Sequence, residues 1–424
     1  MPPLPLLGRL PFILNQLGER LWVKPLLVCL VSVGTVFVAT LADDTRLGEI
    51  LPKVSTDSVA SLLNVMASSM LVIATFAVGS MVSAYSSASN TATPRSFKLV
   101  IADDISQNAL STFIGAFIFS VVALMAVKNQ FFGDAALFIL FAIMVVVFGI
   151  VILTFVRWVD RVARLGRLGT TIEIVERATQ QSIQRWHKAP LLGGLPVRFE
   201  PPMGRAVLAA SAGYVQHVNV AALQSCAKKA DGSILVAALP GSLAAPGRAL
   251  AYFIPGPYGL GAFDHDAVMD CFAIGNGRTF FDDPQFGFVV LAEIADRALS
   301  PGVNDPGTAI EVLGAMERLL VLWSSPPPEE SPKDQDRVQV PEPSVQRLFD
   351  DAFTPIARDG AAAVEVGVRL QQTLRTLVHV GDARMREAAL QHSRLALARA
   401  EGVLTLDEDL EALRATAPWH AETA

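Results

Sequence analysis

The most constraining feature of this 424-residue chain is a stretch of 37 residues, from Ser58 to Pro94, that contains no charged side chain. A helix of about 20 apolar residues spans the hydrocarbon core of a membrane, which is roughly 30 Å thick. Three other uncharged runs are of similar length. The sequence therefore predicts four transmembrane helices: Pro25–Ala42, Ser58–Ser83, Gln107–Val127 and Ala135–Val156.

The distribution of charge divides the chain into two parts. Charged residues make up 17% of the chain, below the roughly 25% of ordinary soluble proteins. Residues 1–170 contain 12 Lys or Arg and 9 Asp or Glu, whereas residues 171–424 contain 22 and 31. We therefore expect a membrane region followed by an acidic soluble region. The net charge of −6 argues against a nucleic-acid partner, because phosphate binding requires a basic surface.

The basic residues between the predicted spans indicate an orientation, since cytoplasmic loops are enriched in Lys and Arg. One side has nine: Arg9, Arg20, Lys24, Arg95, Lys98, Arg157, Arg161, Arg164 and Arg167. The other side has three: Arg46, Lys53 and Lys128. We expect both termini to lie in the cytoplasm.

The second span contains a stripe of small and polar residues at helical spacing. They are three, four or seven positions apart, which places them on one face of a helix: Ser61, Asn64, Ser68, Thr75, Gly79, Ser83, Ser86 and Asn90. The opposite face is apolar: Leu63, Met66, Met70, Ile73, Ala77 and Met81. Two interpretations remain open. Small residues allow close packing of neighbouring helices, and an uncharged polar face can also line a water-filled path.

The sequence also predicts how the whole chain is divided into segments. We expect a four-helix transmembrane domain at 1–156, a connecting helix and linker at 157–200, an α+β domain at 201–323, a Pro-rich linker at 324–344 and a helical segment at 345–424. The last segment has apolar residues that suit a bundle core: Val366, Leu370, Leu374 and Leu377. The fold class is a polytopic α-helical membrane protein with a cytoplasmic α+β domain, in which a small β module precedes a helical hairpin and a bundle.

Two helix starts form the strongest local pattern in the α+β domain. Each has Asp at the N-cap and Pro at the first helical position, as in Asp283-Pro284 and Asp305-Pro306. One interpretation is a capped helical hairpin. The other is an anion or ligand site at the two helix N-termini, where free N–H groups and the helix dipole favour negative charge. The candidate residues are Arg278, Asp283, Asn304, Asp305 and Thr308.

The sequence offers no pattern for catalysis, a cofactor or a metal. The chain has no GxSxG, no Walker A, no strand-linked GxGxxG and no HExxH. Its cysteines, Cys29, Cys226 and Cys271, form no CxxC pair, and so predict neither a disulfide framework nor a zinc site. We expect a protein that is not an enzyme and uses no cofactor.

The chain resembles bacterial membrane proteins grouped as domain of unknown function 2254, over about residues 15–400. The resemblance rests on the four spans in this order, the run from Ser300 to Ala309, the strand at Ser211–Gln216, and Arg278-Thr279 followed by Asp282–Gly287. It implies an inner-membrane location and a cytoplasmic C-terminal half, and it implies no activity.

Two functions follow as hypotheses. The first is a homo-oligomeric channel or transport protein for an ion or small solute, with span two lining the path and the cytoplasmic domain assembling or gating it. An oligomer is expected because four helices rarely enclose a pore alone. The second is a membrane-anchored sensor or scaffold whose cytoplasmic domain binds a small anion or a partner protein.

Overall fold

The computed structural model describes residues 23–40, 52–91, 93–96, 99, 104–164, 168–197, 204–256, 263–325 and 335–418. Contacts divide the chain into two units. The membrane unit comprises Leu14–Thr170, and the C-terminal unit comprises Thr171–Ala424. The basic residues Arg9, Arg20, Arg46, Lys98 and Arg167, counted in the orientation argument, lie outside the described residues.

Four helices form the described part of the membrane unit: α1 (Val23–Thr40), α2 (Thr56–Thr91), α3 (Asp104–Lys128) and α4 (Asp134–Arg164). Among the described residues, α2, α3 and α4 are long and apolar enough to cross a membrane. The apolar part of α1, Lys24–Val38, is shorter. The structure thus supports three of the four predicted spans by length and composition. The last residues of the first predicted span, 41 and 42, are not described.

Helix α3 is the centre of the membrane unit, since it packs against α1, α2 and α4. Its Gly115 allows close approach of α1, because a Cβ there would overlap the side chain of Val28. Phe113 of α3 lies edge-on to Trp158 of α4, with ring centroids 6.0 Å apart. Both rings are fully buried.

Two small sheets form the first part of the C-terminal unit, after α5 (Leu168–Lys188) and a 3₁₀ turn at Pro190–Gly193. The larger has the strand order β1-β8-β4-β6-β2, with β8 parallel to β1 and β4 and the other pairs antiparallel. The smaller is antiparallel, in the order β5-β3-β7. The strands are β1 (Leu195–Pro196), β2 (Arg205–Leu208), β3 (Gly213–Val218), β4 (Gly232–Val236), β5 (Leu243–Ala244), β6 (Ala249–Pro255), β7 (Phe272–Gly275) and β8 (Val338–Val340).

Helices form the remainder of the C-terminal unit. Two short ones, α6 (Val220–Lys229) and α7 (His265–Met269), lie between strands. Asp264, which the sequence places in an Asp-His-Asp run, is the N-cap of α7 and accepts the Ala267 N–H. The others are α8 (Pro284–Leu299), α9 (Pro306–Ser324), α10 (Val345–Asp359), α11 (Val364–Val380), α12 (Ala383–Glu401) and α13 (Asp407–Thr416).

Helices α8 to α13 bury the apolar faces that their sequences predict. Helices α8 and α9 form a hairpin, α8 packs on α10, α9 packs on α11, and α12 packs on α10 and α11. The predicted core residues of α11 are all buried: Val366, Leu370, Leu374 and Leu377.

The structure differs from the predicted segments at one place. The predicted Pro-rich linker 324–344 contains β8, because alternate residues Val338 and Val340 are buried against the larger sheet. Residues 326–334 of that linker are not described. We predict one helix running out of span four; the structure describes helix to Arg164 and again from Leu168, and residues 165–167 between them are not described.

Candidate functional site

The polar stripe of α2 lies on the outside of the membrane unit. The exposed residues are Ser61, Asn64, Ser68, Thr75, Gly79, Ser83 and Ser86. Asn90 belongs to α2, but its side chain is outside the described part. The opposite face is turned inward: Leu63, Met66, Met70, Ala77 and Met81 are buried, and Ile73 is partly buried. Helix α2 therefore packs within this unit through its apolar face. Its uncovered side carries the polar stripe together with exposed apolar residues, among them Leu71 and Phe76.

The polar groups of the stripe differ in how they are satisfied. The hydroxyls of Ser68 and Thr75 donate to backbone carbonyls one turn earlier, at Asn64 (2.9 Å) and Leu71 (2.8 Å). The side-chain amide of Asn64 has no hydrogen-bond partner among the described residues. A Cβ at Gly79 would meet no atom within 4 Å. The stripe thus contains an unsatisfied amide at Asn64 and open space beside Gly79.

The second candidate is the start of α8 in the C-terminal unit. Arg278 donates from Nε to Asp283 Oδ2 (2.7 Å) and from Nη2 to Asp283 Oδ1 (2.8 Å). Asp283 also caps α8, where its Oδ1 accepts the Phe286 N–H at 3.1 Å. Burial raises the pKa of Asp283, and the Arg278 guanidinium and the Phe286 N–H oppose that shift. The carboxylate is therefore engaged by this chain's own donors.

The loop that faces this pair requires glycine. Gly241 has φ +90°, a conformation that residues with a Cβ rarely adopt. A Cβ there would overlap the Asp283 carboxylate and would lie 3.0 Å from Arg278 Nη2. The backbone at Gly241 thus lies directly against the ion pair.

The other three candidate residues lie elsewhere. Asp305 is the N-cap of α9, where it accepts the Thr308 N–H (3.1 Å) and hydroxyl (2.7 Å). These bonds lower the pKa of Asp305. Its N–H donates to Ala298 O in the last turn of α8 (2.8 Å). Asn304 adopts φ +48° in the turn between the helices.

The two helix starts therefore do not form one site, which corrects the joint arrangement predicted from sequence. Helix α8 has 16 residues, so its two ends are about 24 Å apart. Arg278 and Asp283 lie at one end, and Asn304, Asp305 and Thr308 lie at the other. The reason is the antiparallel course of the hairpin, which brings the start of one helix to the end of the other.

A pocket that sequence reasoning missed opens at the start of α8. It has a volume of about 130 Å³, and its lining includes Arg278, Asp282, Trp186, Trp323 and Arg347. The rings of Trp186 and Trp323 are stacked, with centroids 6.3 Å apart and an interplanar angle of 16°. The N-terminus of α10, capped by Ser344, also lines this pocket. These residues come from separate segments, so no local spacing in the sequence could have linked them.

Two polar contacts anchor the segment that precedes α8. His217 Nδ1 lies 2.5 Å from Asp282 Oδ2. Arg185 donates from Nε to Phe281 O (2.7 Å), and its guanidinium lies 4.5 Å from the centroid of the Phe281 ring. Burial lowers the pKa of Arg185, and the charge of Asp282 opposes this. These contacts hold the segment before α8 against α5 and β3.

Comparison with known families gives one decisive match. The model of a family described as predicted membrane proteins, DUF2254, matches residues 18–376. The chain belongs to the DUF2254 family. The family match and the described helices agree that it is a membrane protein with several apolar helices.

Relatives of this DUF2254 protein occur in mycobacteria. An uncharacterized protein of Mycobacterium bovis and one of Mycobacterium tuberculosis are each 26% identical to it over 339 residues. The alignment covers 76% of this chain and 64% of each relative, so the chain spans less than two thirds of their length. No solved structure matches the chain.

The run by which the sequence resembles the DUF2254 family has a structural role in this chain. Ser300 ends α8, Asn304 supplies a left-handed residue, and Asp305 and Pro306 begin α9. The Ser300 carbonyl accepts the N–H groups of Val303 (3.0 Å) and Asn304 (2.9 Å). These contacts account for the run as the turn of the α8–α9 hairpin.

Proposed function

We propose that this DUF2254 protein is an oligomeric channel or transport protein for ions or small solutes, with α2 lining the path. In the proposal α1 is the fourth span, the protein lies in the bacterial inner membrane, and the nine basic residues on one side keep both termini in the cytoplasm. The C-terminal unit assembles or gates the oligomer.

One observation carries the proposal: α2 buries a wholly apolar face and leaves its polar residues exposed, among apolar side chains such as Leu71, Phe76 and Val82. Lipid favours the reverse arrangement, because a polar group without a hydrogen bond in hydrocarbon costs several kcal/mol. The hydroxyls of Ser68 and Thr75 avoid this cost by bonding to their own helix, but the Asn64 amide does not. Contact with water in a path, or with α2 of another copy around that path, would satisfy the amide.

The residues beside the polar stripe are apolar, which supports a narrow water-facing surface. Val78 and Phe76 are exposed on either side of the polar residues, as lipid-facing or copy-facing positions would be. Such a surface is too narrow to enclose a path in one chain. An oligomer with α2 helices around a common axis would join several stripes into one lining.

Ion flux tests this proposal. The full-length protein and its Asn64→Leu and Thr75→Val variants are reconstituted in liposomes, and potassium efflux is measured. Val78→Leu is the matched control, because it adds apolar volume at a neighbouring exposed position outside the stripe. We expect efflux from the wild type and the control, and altered efflux from both stripe variants. Equal efflux from all four proteins, or none above empty liposomes, would contradict the proposal.

A second candidate function is a membrane-anchored sensor or scaffold that binds a small anion in the C-terminal unit. The observation that favours it is the pocket at the starts of α8 and α10, which is also lined by Arg278 and Arg347. Asp283 accepts hydrogen bonds from two of the five N–H donors of Arg278. Helix N-termini with arginines nearby bind carboxylate or phosphate.

Thermal unfolding distinguishes this candidate. The full-length protein is heated with phosphate or acetate, with sodium chloride at matched ionic strength as the reference. We expect phosphate or acetate to raise the unfolding temperature of the wild type and of Arg248→Gln, an exposed arginine outside the pocket. Arg347→Gln should lose the shift. A shift that Arg347→Gln retains, or no shift in the wild type, would exclude this anion site.

A further inference from the structure

The pocket at the start of α8 is lined by two tryptophans from different helices. Trp186 lies near the end of α5, and Trp323 lies near the end of α9. Their rings are nearly parallel, at 16°, with centroids 6.3 Å apart. Both residues are only partly buried. Since an indole face is rich in π electrons, the exposed part of this pair offers a surface on which another flat ring can stack.

The charged side chains of the lining differ in whether this chain satisfies them. Asp282 Oδ2 lies 2.5 Å from His217 Nδ1, and Asp283 accepts two hydrogen bonds from Arg278. Within the part of the chain that the structure describes, the guanidinium of Arg347 has no hydrogen-bond or ion-pair partner, because only its main-chain N–H is bonded. The pocket therefore has one positive charge that the chain leaves for a bound anion.

The volume of the pocket limits the size of its occupant. It is about 130 Å³, and an apolar cavity of about 150 Å³ binds one benzene molecule. The pocket thus has room for one six-membered ring with a small substituent. A carboxylate adds fewer atoms to such a ring than a phosphate does, and its flat shape matches the guanidinium group of arginine.

We propose that this pocket binds a single-ring aromatic carboxylate, with the ring stacked on the tryptophan pair Trp186–Trp323 and the carboxylate at Arg347. The inference rests on the anion site of the second candidate function and names the class of anion. The start of α10 belongs to the same lining, and its helix dipole adds to the attraction for a negative group.

Four probes separate the contribution of the ring from that of the charge: benzoate, cyclohexanecarboxylate, acetate and benzyl alcohol. The full-length protein in detergent is heated with each at increasing concentration, with sodium chloride at matched ionic strength as the reference, and the apparent Kd is obtained from the rise in unfolding temperature. We expect benzoate to bind about 3–10-fold more tightly than cyclohexanecarboxylate, because the two are alike in charge and size but only benzoate has a π-system. Acetate should bind more weakly than benzoate, and benzyl alcohol should give no rise.

Failure of the aromatic assignment and failure of the anion site give different results. If cyclohexanecarboxylate binds as tightly as benzoate, the aromatic assignment is overturned and the anion site stands. No rise with any of the three carboxylates would overturn both. A rise with benzyl alcohol equal to that with benzoate would overturn the role given to the charge of Arg347.

Paired variants test the tryptophans and the arginine in turn. Trp186→Leu combined with Trp323→Leu should abolish the preference for benzoate over cyclohexanecarboxylate, whereas Trp186→Tyr combined with Trp323→Tyr should keep it. Arg347→Gln should lose the response to both carboxylates, and Arg248→Gln, an exposed arginine outside the pocket, should retain it. A preference for benzoate that survives the two leucine substitutions would overturn the stacking. The comparison of the two carboxylates on the wild type decides the aromatic assignment even if the leucine variant does not fold.

Discussion

Arg278 holds Asp283 through both carboxylate oxygens, at 2.7 and 2.8 Å, while the same carboxylate caps α8. The Asp283 carboxylate therefore pairs with the charge of Arg278 and also accepts a backbone N–H at the start of α8. Because Arg278 follows β7 in the chain, this pair joins the smaller sheet to the α8–α9 hairpin.

Burial decides how much such a pair contributes to stability. Arg278 and Asp283 have 15% and 4% of their side chains exposed, whereas Arg318 and Glu176 form an equally bidentate pair with 63% and 19% exposed. Removing one partner of a buried pair costs about 3–5 kcal/mol, and an exposed pair contributes about 0–1 kcal/mol. We expect Arg278→Met to lower the free energy of unfolding by about 3–5 kcal/mol. Arg318→Met should lower it by about 0–1 kcal/mol.

Urea denaturation followed by tryptophan fluorescence measures both variants, since Trp186 and Trp323 lie in the same unit. Equal losses from Arg278→Met and Arg318→Met would contradict the structural role given to the buried pair.

Two helical glycines of the hairpin should respond to alanine with opposite signs. A Cβ at Gly287 would lie 2.6 and 2.7 Å from Cγ2 and Cβ of the buried Thr179 on α5. Gly287→Ala should therefore cost about 1–3 kcal/mol through overpacking. At Gly314 the nearest atoms are arginine nitrogens at 3.5 and 3.6 Å, so Gly314→Ala should gain about 0.5–1 kcal/mol from helix propensity.

Thermal unfolding midpoints of Gly287→Ala and Gly314→Ala check this. A higher midpoint for Gly287→Ala would show that α5 and α8 do not pack closely at this position.

Asp296 on α8 should make stability depend on pH. Burial, followed by the charge of Asp359, raises its pKa to about 6, and Arg358 opposes the shift. The unfolded carboxyl has a pKa of about 3.9. The folded state therefore binds this proton more tightly than the unfolded state does. The protonated carboxyl contributes stability that is fully present below pH 4 and is lost as the pH rises through 6.

Asp296→Asn imitates the protonated carboxyl and should remove this loss. We expect the variant to exceed the wild type by about 1–2 kcal/mol in free energy of unfolding above pH 7 and to equal it near pH 4. Glu411→Gln, at an exposed position on α13, is the control. A difference between Asp296→Asn and wild type that does not change between pH 4 and pH 8 would contradict the assignment.

Local signals in the sequence were enough to place many helices. Asp283 and Pro284 predict the start of α8, and the apolar spacing from Val366 to Leu377 predicts the core face of α11, because capping and helical periodicity depend only on near neighbours. Both are confirmed.

Long-range pairing could not be predicted in the same way. Strand β8 is only three residues long and becomes a strand through pairing with β1 and β4. The pocket needs Trp186, Trp323 and Arg347 from separate segments. Of the two sequence interpretations of the helix starts, the structure shows the capped hairpin, in which the six-residue connection places Asp305 at the end of α8, away from Arg278.

The central claim is that the polar face of α2 meets water within the membrane. Single cysteines at Asn64 and Thr75 in the stripe, and at Phe76 and Val78 beside it, are introduced into protein with Cys29, Cys226 and Cys271 replaced by serine. Reaction with a charged, membrane-impermeant methanethiosulfonate is then followed in liposomes. Because the reagent needs a hydrated thiolate, the stripe positions should react at least about tenfold faster than the flanking ones. Equally slow reaction at all four positions would contradict the claim.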